Sequence, residues 1–572
     1  MSSVVAALDS TADPQLNIGE NGRSHYEWST SIKQQIVQLH FQLVRNKTNS
    51  SNKTTLWTTT QANIFEKIYK SIILNTGLYD RERHQCLTIM YKLVAFTRDI
   101  ISGKGECMLS YDLIHRISKY DENMAMKIVH YFVYDVKSQK NTHPYGSWKD
   151  MKYMWKYFQW SRKMEDFFIH LINRQLWTDY CICANYPDKL LEVSLVAKWI
   201  PREKSAFKEL FYALAENYYR QYISSANNSA SLILAKKKAY GHYRRLLSFI
   251  NKVIDTVQIK QCSQNYSSID YNKVTSVTHT KQKTAFLNLK KTSSGKTEIR
   301  CNTLDRIKAA ENYTKYIDTL LKNKKNVKGK RVGITNIIAN ALERNITDME
   351  KKIIDSQFND ILENLGSLDN FIAMVDTSGS MSGDPLLAAI GLGICVAEKS
   401  KLGSRVLTFN RDPTWVNIEN KQGLCDKVMT IAQAPWGMNT NFTKALTKIL
   451  DACVEHKLSN DEVSELVLVV LSDMQIDSQG NEALNEPMWQ HIKSLYRSKG
   501  YPVIPHILFW NLRFTEGFPV TSEQPGATMF SGFSPSLLSV FSEKGMEAIK
   551  DATPWNTLME LLENDRYDAI TI

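Results

Sequence analysis

Two successive patterns predict an α + α/β protein: an all-α helical-repeat region followed by a doubly wound parallel sheet. From about residue 26 to 255, one amphipathic stretch follows another, separated by Gly, Asn, His-Pro and Tyr-Gly breaks. Beyond residue 370, short apolar runs of strand length alternate with helical stretches, which is how parallel strands joined by crossover helices read. The composition is that of a folded chain. Its 572 residues are 43% hydrophobic and 23% charged, with 14 Pro and 24 Gly, enough for about three or four domains or fewer large ones. Collagen-like, mucin-like and globally disordered classes are excluded.

Residues 1–25 are polar and without periodicity, and are expected to be a flexible N-terminus. A helical domain is expected over 26–365. In IFEKIYKSIILNTGL, Ile64, Phe65, Ile68, Ile72 and Ile73 share one helical face. HQCLTIMYKLVAFTRDI, NMAMKIVHYFVYDV, EDFFIHLINRQLWTDY and REKSAFKELFYALAENYYRQYI continue the pattern. Antiparallel helix pairs stacked as a solenoid would satisfy it, although no strict repeat is present. Residues 256–300 are irregular and rich in Ser, Thr, Asn and Lys, and helices resume at LDRIKAAENYTKYIDTLLKNKK. The last domain, 366–572, holds the strand-like runs FIAMV, RVLTF, LVLVVL and VIPHILF.

Net charge is +12, and it is concentrated. Residues 236–331 hold 23 Lys and Arg against 6 Asp and Glu, a net of +17, leaving the rest of the chain at −5. The excess falls at Lys236, Lys237 and Lys238, at Arg244 and Arg245, at Lys290 and Lys291, and at Lys322, Lys324, Lys325, Lys328, Lys330 and Arg331. Tyr240, Tyr243, Phe249, Tyr266, Tyr271, Tyr313 and Tyr316 lie among them. Such a segment can neutralise phosphates while its rings stack on unpaired bases. A solvated helical face or a connector would carry the same charges, and anionic lipid or an acidic protein would meet the same field.

No run of about 18 apolar residues is present, so no membrane-spanning helix is expected. The opening MSSVVAALDSTADPQ lacks a basic region before its short apolar stretch and reads poorly as a secretory signal. The nine cysteines are scattered, without a CxxC pair, which suits reduced thiols in a cytoplasmic compartment.

Chemistry is expected where the first apolar run ends, at Asp376-Thr377-Ser378-Gly379-Ser380. Functional loops of a doubly wound sheet gather beyond the carboxyl ends of its strands. Asp376, Ser378 and Ser380 leave that edge together, LVLVVLSDM delivers Asp473 to it, and the segment before TKALTKIL supplies Thr440, with Thr443 nearby. Two carboxylates and three hydroxyls are hard oxygen donors suited to Mg²⁺ or Mn²⁺. A capped loop with no metal would use the same serines. Asp384 and Asp477 lie near enough to be considered as bases, although their positions suit a helix start and a loop.

These residues resemble the metal-ion-dependent adhesion site (MIDAS) of von Willebrand factor type A domains, in which Asp-x-Ser-x-Ser is followed by a distant Thr and a distant Asp. Met438-Asn439 stands where that family has a glycine pair before the Thr. A second resemblance spans about residues 60–565. Thr97-Arg98-Asp99-Ile100 with Gly103-Lys104-Gly105-Glu106, Tyr145-Gly146-Ser147-Trp148-Lys149-Asp150 and Ala197–Glu203 carry it in the first half. Tyr271–Ser276, Leu471–Asp477, Phe509-Trp510-Asn511-Leu512 and Ser531-Gly532-Phe533-Ser534 extend it. Together they are similar to an uncharacterised family of plants, fungi and giant viruses, related to the Ro autoantigen and its TROVE module. That resemblance implies HEAT-like helical repeats before a von Willebrand A-like domain, and for Ro-like relatives it implies binding of small structured RNAs within ribonucleoproteins. The Lys-, Asn- and Ile-rich sequence fits a viral source, with host cytoplasm or virion as its place.

The motif residues also have structural readings. Gly103-Lys104-Gly105 is not a nucleotide loop, since GxxxxGK[ST] is absent. Trp148 is expected in the core, Arg98 and Asp99 in an intramolecular pair, and His115, His130 and His143 in structural roles. The expected function is a non-enzymatic RNA-binding scaffold whose basic segment holds phosphates. The alternatives are a metal-dependent protein-interaction module that binds an acidic partner, and a Mg²⁺-dependent hydrolase or nuclease.

Overall fold

The computed structural model describes residues 16–18, 24–45, 59–136, 142–292, 296–410, 412–434, 441–475, 488–542 and 549–571. Part of the stretch read as loose takes a place in the fold. Leu16–Ile18 and Ser24–Tyr26 pair antiparallel, and Tyr26 exchanges backbone hydrogen bonds of 3.0 and 3.1 Å with Phe518. Tyr26 finds its backbone partner in an isolated bridge far along the chain, which local polarity cannot reveal.

Helix α1 (Ile32–Gln42) is buried from Ile36 to Gln42 without a break. A helix buried on every side belongs inside a fold and not on its surface. It lies against the C-terminal half of the chain, as described below. Helix α2 (Asp80–Arg98) is flanked by Thr60–Leu74 and Cys107–Ser118, which buries Phe65, Ile68, Ile72, Leu93, Ile114 and Ile117 between them. Caps fix several starts: Thr59, Asp121 and Ser161 each accept a hydrogen bond from the backbone NH three residues on. Helices α3 (Arg162–Asn185), α4 (Lys208–Tyr218), α5 (Arg220–Ser224) and α6 (Ser229–Ile254) then pack together, with Asn173 of α3 donating to Leu214 O and accepting from Tyr243 Oη.

Residues between 257 and 353 contribute a second, smaller core of Tyr271, Phe286, Tyr313, Ile317 and Ile353, with His279 stacked on Tyr313. It contains helix α7 (Leu304–Lys322) and a short antiparallel pair, Leu289–Lys291 with Thr297–Ile299. The helix Ile334–Ala341 leads back to the main core.

Six strands follow: β1 (Phe371–Asp376), β2 (Arg405–Phe409), β3 (Thr414–Asn417), β4 (Val467–Ser472), β5 (His506–Asn511) and β6 (Ala527–Ser531). Their order is β6-β5-β4-β1-β2-β3, parallel except for the β2–β3 pair at one edge. β4 and β5 are buried at every residue, as befits strands covered on both faces. Helix α8 (Asp384–Lys399) is sandwiched between the sheet and Ile334–Ala341. Glycine permits both contacts. A Cβ on Gly391 would stand 2.4 Å from Ile334, and one on Gly393 2.6 Å from Val375.

The change of pattern near residue 365 separates two kinds of secondary structure without separating two cores. One apolar core runs from Ile36 to Ile570, and α1 packs on β6 and on helix α9 (Pro554–Leu562). A buried ion pair crosses the same seam. Arg566 donates to both carboxylate oxygens of Asp99 at 2.8 and 2.9 Å, and Tyr145 Oη donates to Arg566 O. Arg98 pairs with Asp150 at 2.7 Å, so Arg98 and Asp99 each form an intramolecular pair, with different partners.

Candidate metal centre and basic surface

β1 sits at the middle of the sheet, with β2 on one side and β4 on the other. The chain therefore reverses its winding between β1 and β4, and their carboxyl ends flank the crevice where α/β sheets bind ligands. Asp376 is the last residue of β1, and Asp473 follows the last residue of β4. Both are 0% exposed.

Each carboxylate is held. Ser472 Oγ donates to Asp376 Oδ2 at 2.6 Å, and the backbone NH of Ser378 donates to Asp376 Oδ1 at 2.9 Å. Asp473 Oδ1 accepts from Gln475 N at 3.2 Å. Asp473 Oδ2 is buried and has no hydrogen-bond partner among the described residues. Ser378 Oγ and Ser380 Oγ lie 3.0 Å apart. Met474, directly after Asp473, has φ 62°, a left-handed conformation uncommon for a residue other than glycine and concentrated at functional sites.

Burial raises the pKa of Asp376, and the charge of Asp473 raises it further against the hydrogen bonds from Ser472 and Ser378. Asp473 is raised by burial too, opposed by Ser380, Gln475 and Arg513. The Arg513 guanidinium stands 3.7 Å from Asp473 Oδ2 and donates to Ser380 O at 3.1 Å. Its side chain is nearly half exposed, so it screens the pair from outside without entering it. Buried negative charge, one carboxylate oxygen that accepts no hydrogen bond among the described residues, and two adjoining hydroxyls make a donor set that fits a small hard dication. The set depends on hydroxyls: among the described residues no group of three or more His, Cys, Asp or Glu is placed to hold a metal.

Four of the five predicted donors thus converge. Thr440, Trp436, Met438 and Asn439 lie outside the described residues, as does Asp477. Thr443 is the second residue of the helix Phe442–Glu455, whose start is tied to β2 by Asn441 N to Asn410 O at 3.1 Å. Asp384 is exposed at the start of α8, 3.9 Å from Arg45.

Ser472 and Arg513 were not among the predicted residues. Ser472 could have been noticed as the hydroxyl preceding Asp473, whereas the position of Arg513 depends on how the chain turns after β5. Lys104 was also missed. Its ammonium donates to His40 O, Leu43 O and Ser531 Oγ, while Asn511 Nδ2 donates to Phe41 O at 3.0 Å. The C-terminal turn of α1 thereby covers the carboxyl ends of β5 and β6. Burial lowers the pKa of Lys104 well below its ordinary value. Trp148 is buried, and the three histidines have partners within the chain: His115 Nδ1 accepts from Trp160 Nε1 at 3.1 Å, His130 stacks on Tyr134, and His143 Nδ1 meets Pro144 O.

The basic residues do not form one stripe. Lys236, Lys237, Lys238, Arg244 and Arg245 are on α6 in the main core, whereas Lys290 to Arg331 surround the second core. Several are neutralised within the chain: Lys236 by Glu216 at 3.0 Å, Arg244 by Glu203 at 2.6 Å, Lys290 by Glu298 at 3.3 Å and Lys291 by Glu343 at 2.6 Å. Lys328 donates to Asn272 O, and Arg331 meets His143 Nε2 at 3.0 Å. Lys237, Lys322, Lys324, Lys325 and Lys330 are exposed.

Comparison with known proteins gives two matches. Residues 370–567 match a family described as a domain of unknown function, DUF7788. Over 502 residues the chain is 27% identical to "Uncharacterized protein L728" of Acanthamoeba polyphaga mimivirus, covering 85% of this chain and 80% of that protein.

Proposed function

We propose that the protein is a non-enzymatic RNA-binding scaffold of the Ro/TROVE type, in which a von Willebrand A-like domain binds Mg²⁺ or Mn²⁺ through Asp376, Ser378, Ser380 and Asp473. The observation that carries the metal reading is the pair of fully buried carboxylates at the β1–β4 crevice, with Asp473 Oδ2 accepting no hydrogen bond among the described residues and facing Arg513 at 3.7 Å. A bound dication supplies a fixed positive charge that draws in a ligand carboxylate or phosphate. Ser472 and the Ser378 NH orient Asp376, Gln475 N orients Asp473, and Arg513 adds a second cationic contact at the rim. Recognition suits the site better than turnover. Hydrolysis requires a base poised beside the bound group, and Asp384 lies at the surface near Arg45 instead. The RNA reading is supported by the +17 segment and by the exposed lysines of 322–330.

A second reading, metal-dependent capture of an acidic protein, is favoured by the internal pairing of Lys236, Arg244, Lys290 and Lys291, which removes part of the phosphate-binding charge. Affinity purification with and without EDTA, for wild type and Asp376→Ala, separates the two. RNA retained by both forms, recovered by sequencing, supports the scaffold. A protein captured by wild type in Mg²⁺ and lost with EDTA or Asp376→Ala, with no RNA, supports the second reading.

A further inference from the structure

Away from the crevice, α3, α4, α5 and α6 enclose a groove of about 860 Å³. Trp177, Tyr180, Tyr218, Tyr219 and Phe249 line it, with Arg245 and His242 along one wall. These rings are not simply core. Trp177 is 56% exposed, Phe249 41% and Tyr180 36%. They support one another: Trp177 and Tyr180 are tilted with centroids 5.9 Å apart, Tyr180 and Phe249 meet edge to face at 6.0 Å, and Trp177 and Tyr218 are tilted at 6.4 Å. At one end Tyr219 stacks on Tyr222 with 4° between planes, and the Lys238 ammonium stands 4.3 Å from the Tyr222 centroid. A contiguous exposed aromatic surface of this kind marks a binding site more often than chance.

We propose that this groove is a stacking site for the unpaired bases of single-stranded nucleic acid. Charge selects the occupant: among the described residues Arg245 is the charged residue of the lining and no Asp or Glu lines it, and Lys238 and exposed Lys237 extend the positive charge along α6. Arg245 is not spent on a carboxylate among the described residues; its Nε donates to Gly241 O. Rings with cations beside them accept bases on their faces and phosphates at their rim, with little preference for sequence. Asn217 and Gln221 on the lining offer hydrogen bonds to base edges. The inference deepens the RNA reading and rests on it, and it concerns a surface separate from the metal centre.

The test is anisotropy titration of the full chain with a fluorescent 12-nucleotide oligouridylate, beside an abasic phosphate polymer of equal length. Trp177→Ala and Phe249→Ala should each weaken the oligouridylate by roughly tenfold or more and leave its salt dependence unchanged. Arg245→Ala should flatten the salt dependence by about one phosphate contact. The abasic polymer should not distinguish wild type from Trp177→Ala. Circular dichroism melting of each variant shows whether it is folded. Wild-type affinity in both ring variants would overturn the groove while leaving RNA binding elsewhere intact. A wild-type chain that binds no oligonucleotide would overturn both readings. An uncharged hydrophobic peptide that binds wild type but not Trp177→Ala, and leaves the bound oligonucleotide in place, would assign the groove to protein instead.

Discussion

Asp473 is where the energetic conflict of the molecule is sharpest. A buried carboxylate beside a second one, with one oxygen accepting no hydrogen bond among the described residues, is costly for the fold alone and useful to a cation. Asp473→Asn keeps the acceptor for Gln475 N and removes the like charge. It should raise metal-free stability by on the order of 1 kcal/mol and abolish any gain in melting temperature from Mg²⁺, both readable by thermal denaturation with and without EDTA. A histidine gives the acid-side prediction. His279 is fully buried, and desolvation lowers its pKa to about 4. Between pH 6.5 and 4 the unfolded chain binds a proton that the folded chain does not, so stability falls as pH drops through that window. The loss is on the order of 3 kcal/mol, and urea titrations at pH 7 and pH 4.5 should show it shrinking in His279→Gln. Asp376, Ser378 and Ser380 were legible because a strand end and an i, i+2, i+4 spacing are local. Arg513 and Lys104 were not. The first depends on a turn after β5, and the second bonds backbone carbonyls more than 60 residues earlier.

At the scale of elements, the join between the helical half and the sheet decides how the crevice is built. α1 and Lys104 close the carboxyl ends of β5 and β6, and the candidate site lies instead at the ends of β1 and β4. The turn Asp565–Tyr567 is fastened to α2 by Arg566 and Asp99, both nearly inaccessible. Arg566→Met leaves Asp99 buried without its partner and should cost about 3–5 kcal/mol in denaturant unfolding. Adding Asp99→Asn should recover much of that loss, since breaking one side of a buried pair costs more than removing both. Strand and helix types could be read from the pattern, since β4 is apolar up to Ser472, β5 carries the apolar run Ile507–Trp510, and α8 is apolar from Pro385 to Ala397. The fate of the first forty residues could not, because the partners of α1 and Tyr26 lie near residues 518–562.

Over the whole molecule, charge and site are separated. The crevice lies in the half with the smaller basic content, and the excess positive charge surrounds α6 and the second core. The total of that excess was plain in the sequence, but its neutralisation was not, because Glu203, Glu216 and Glu343 come from other elements. The scaffold reading predicts that log affinity for single-stranded RNA falls linearly with log salt, by about 0.7 per phosphate contacted. Lys324→Glu with Lys325→Glu should weaken binding and reduce the slope. Lys236→Glu should do so less, because Lys236 already faces Glu216. A slope near zero in a salt series would remove electrostatic RNA binding from the account.

The claim on which the site rests is tested most directly by isothermal titration of Mg²⁺ and Mn²⁺ into protein freed of metal with EDTA. One ion per chain should bind wild type, and Asp376→Ala and Asp473→Ala should show no such binding while remaining folded. Equal binding by all three proteins, or none by wild type, would contradict a cation held between β1 and β4.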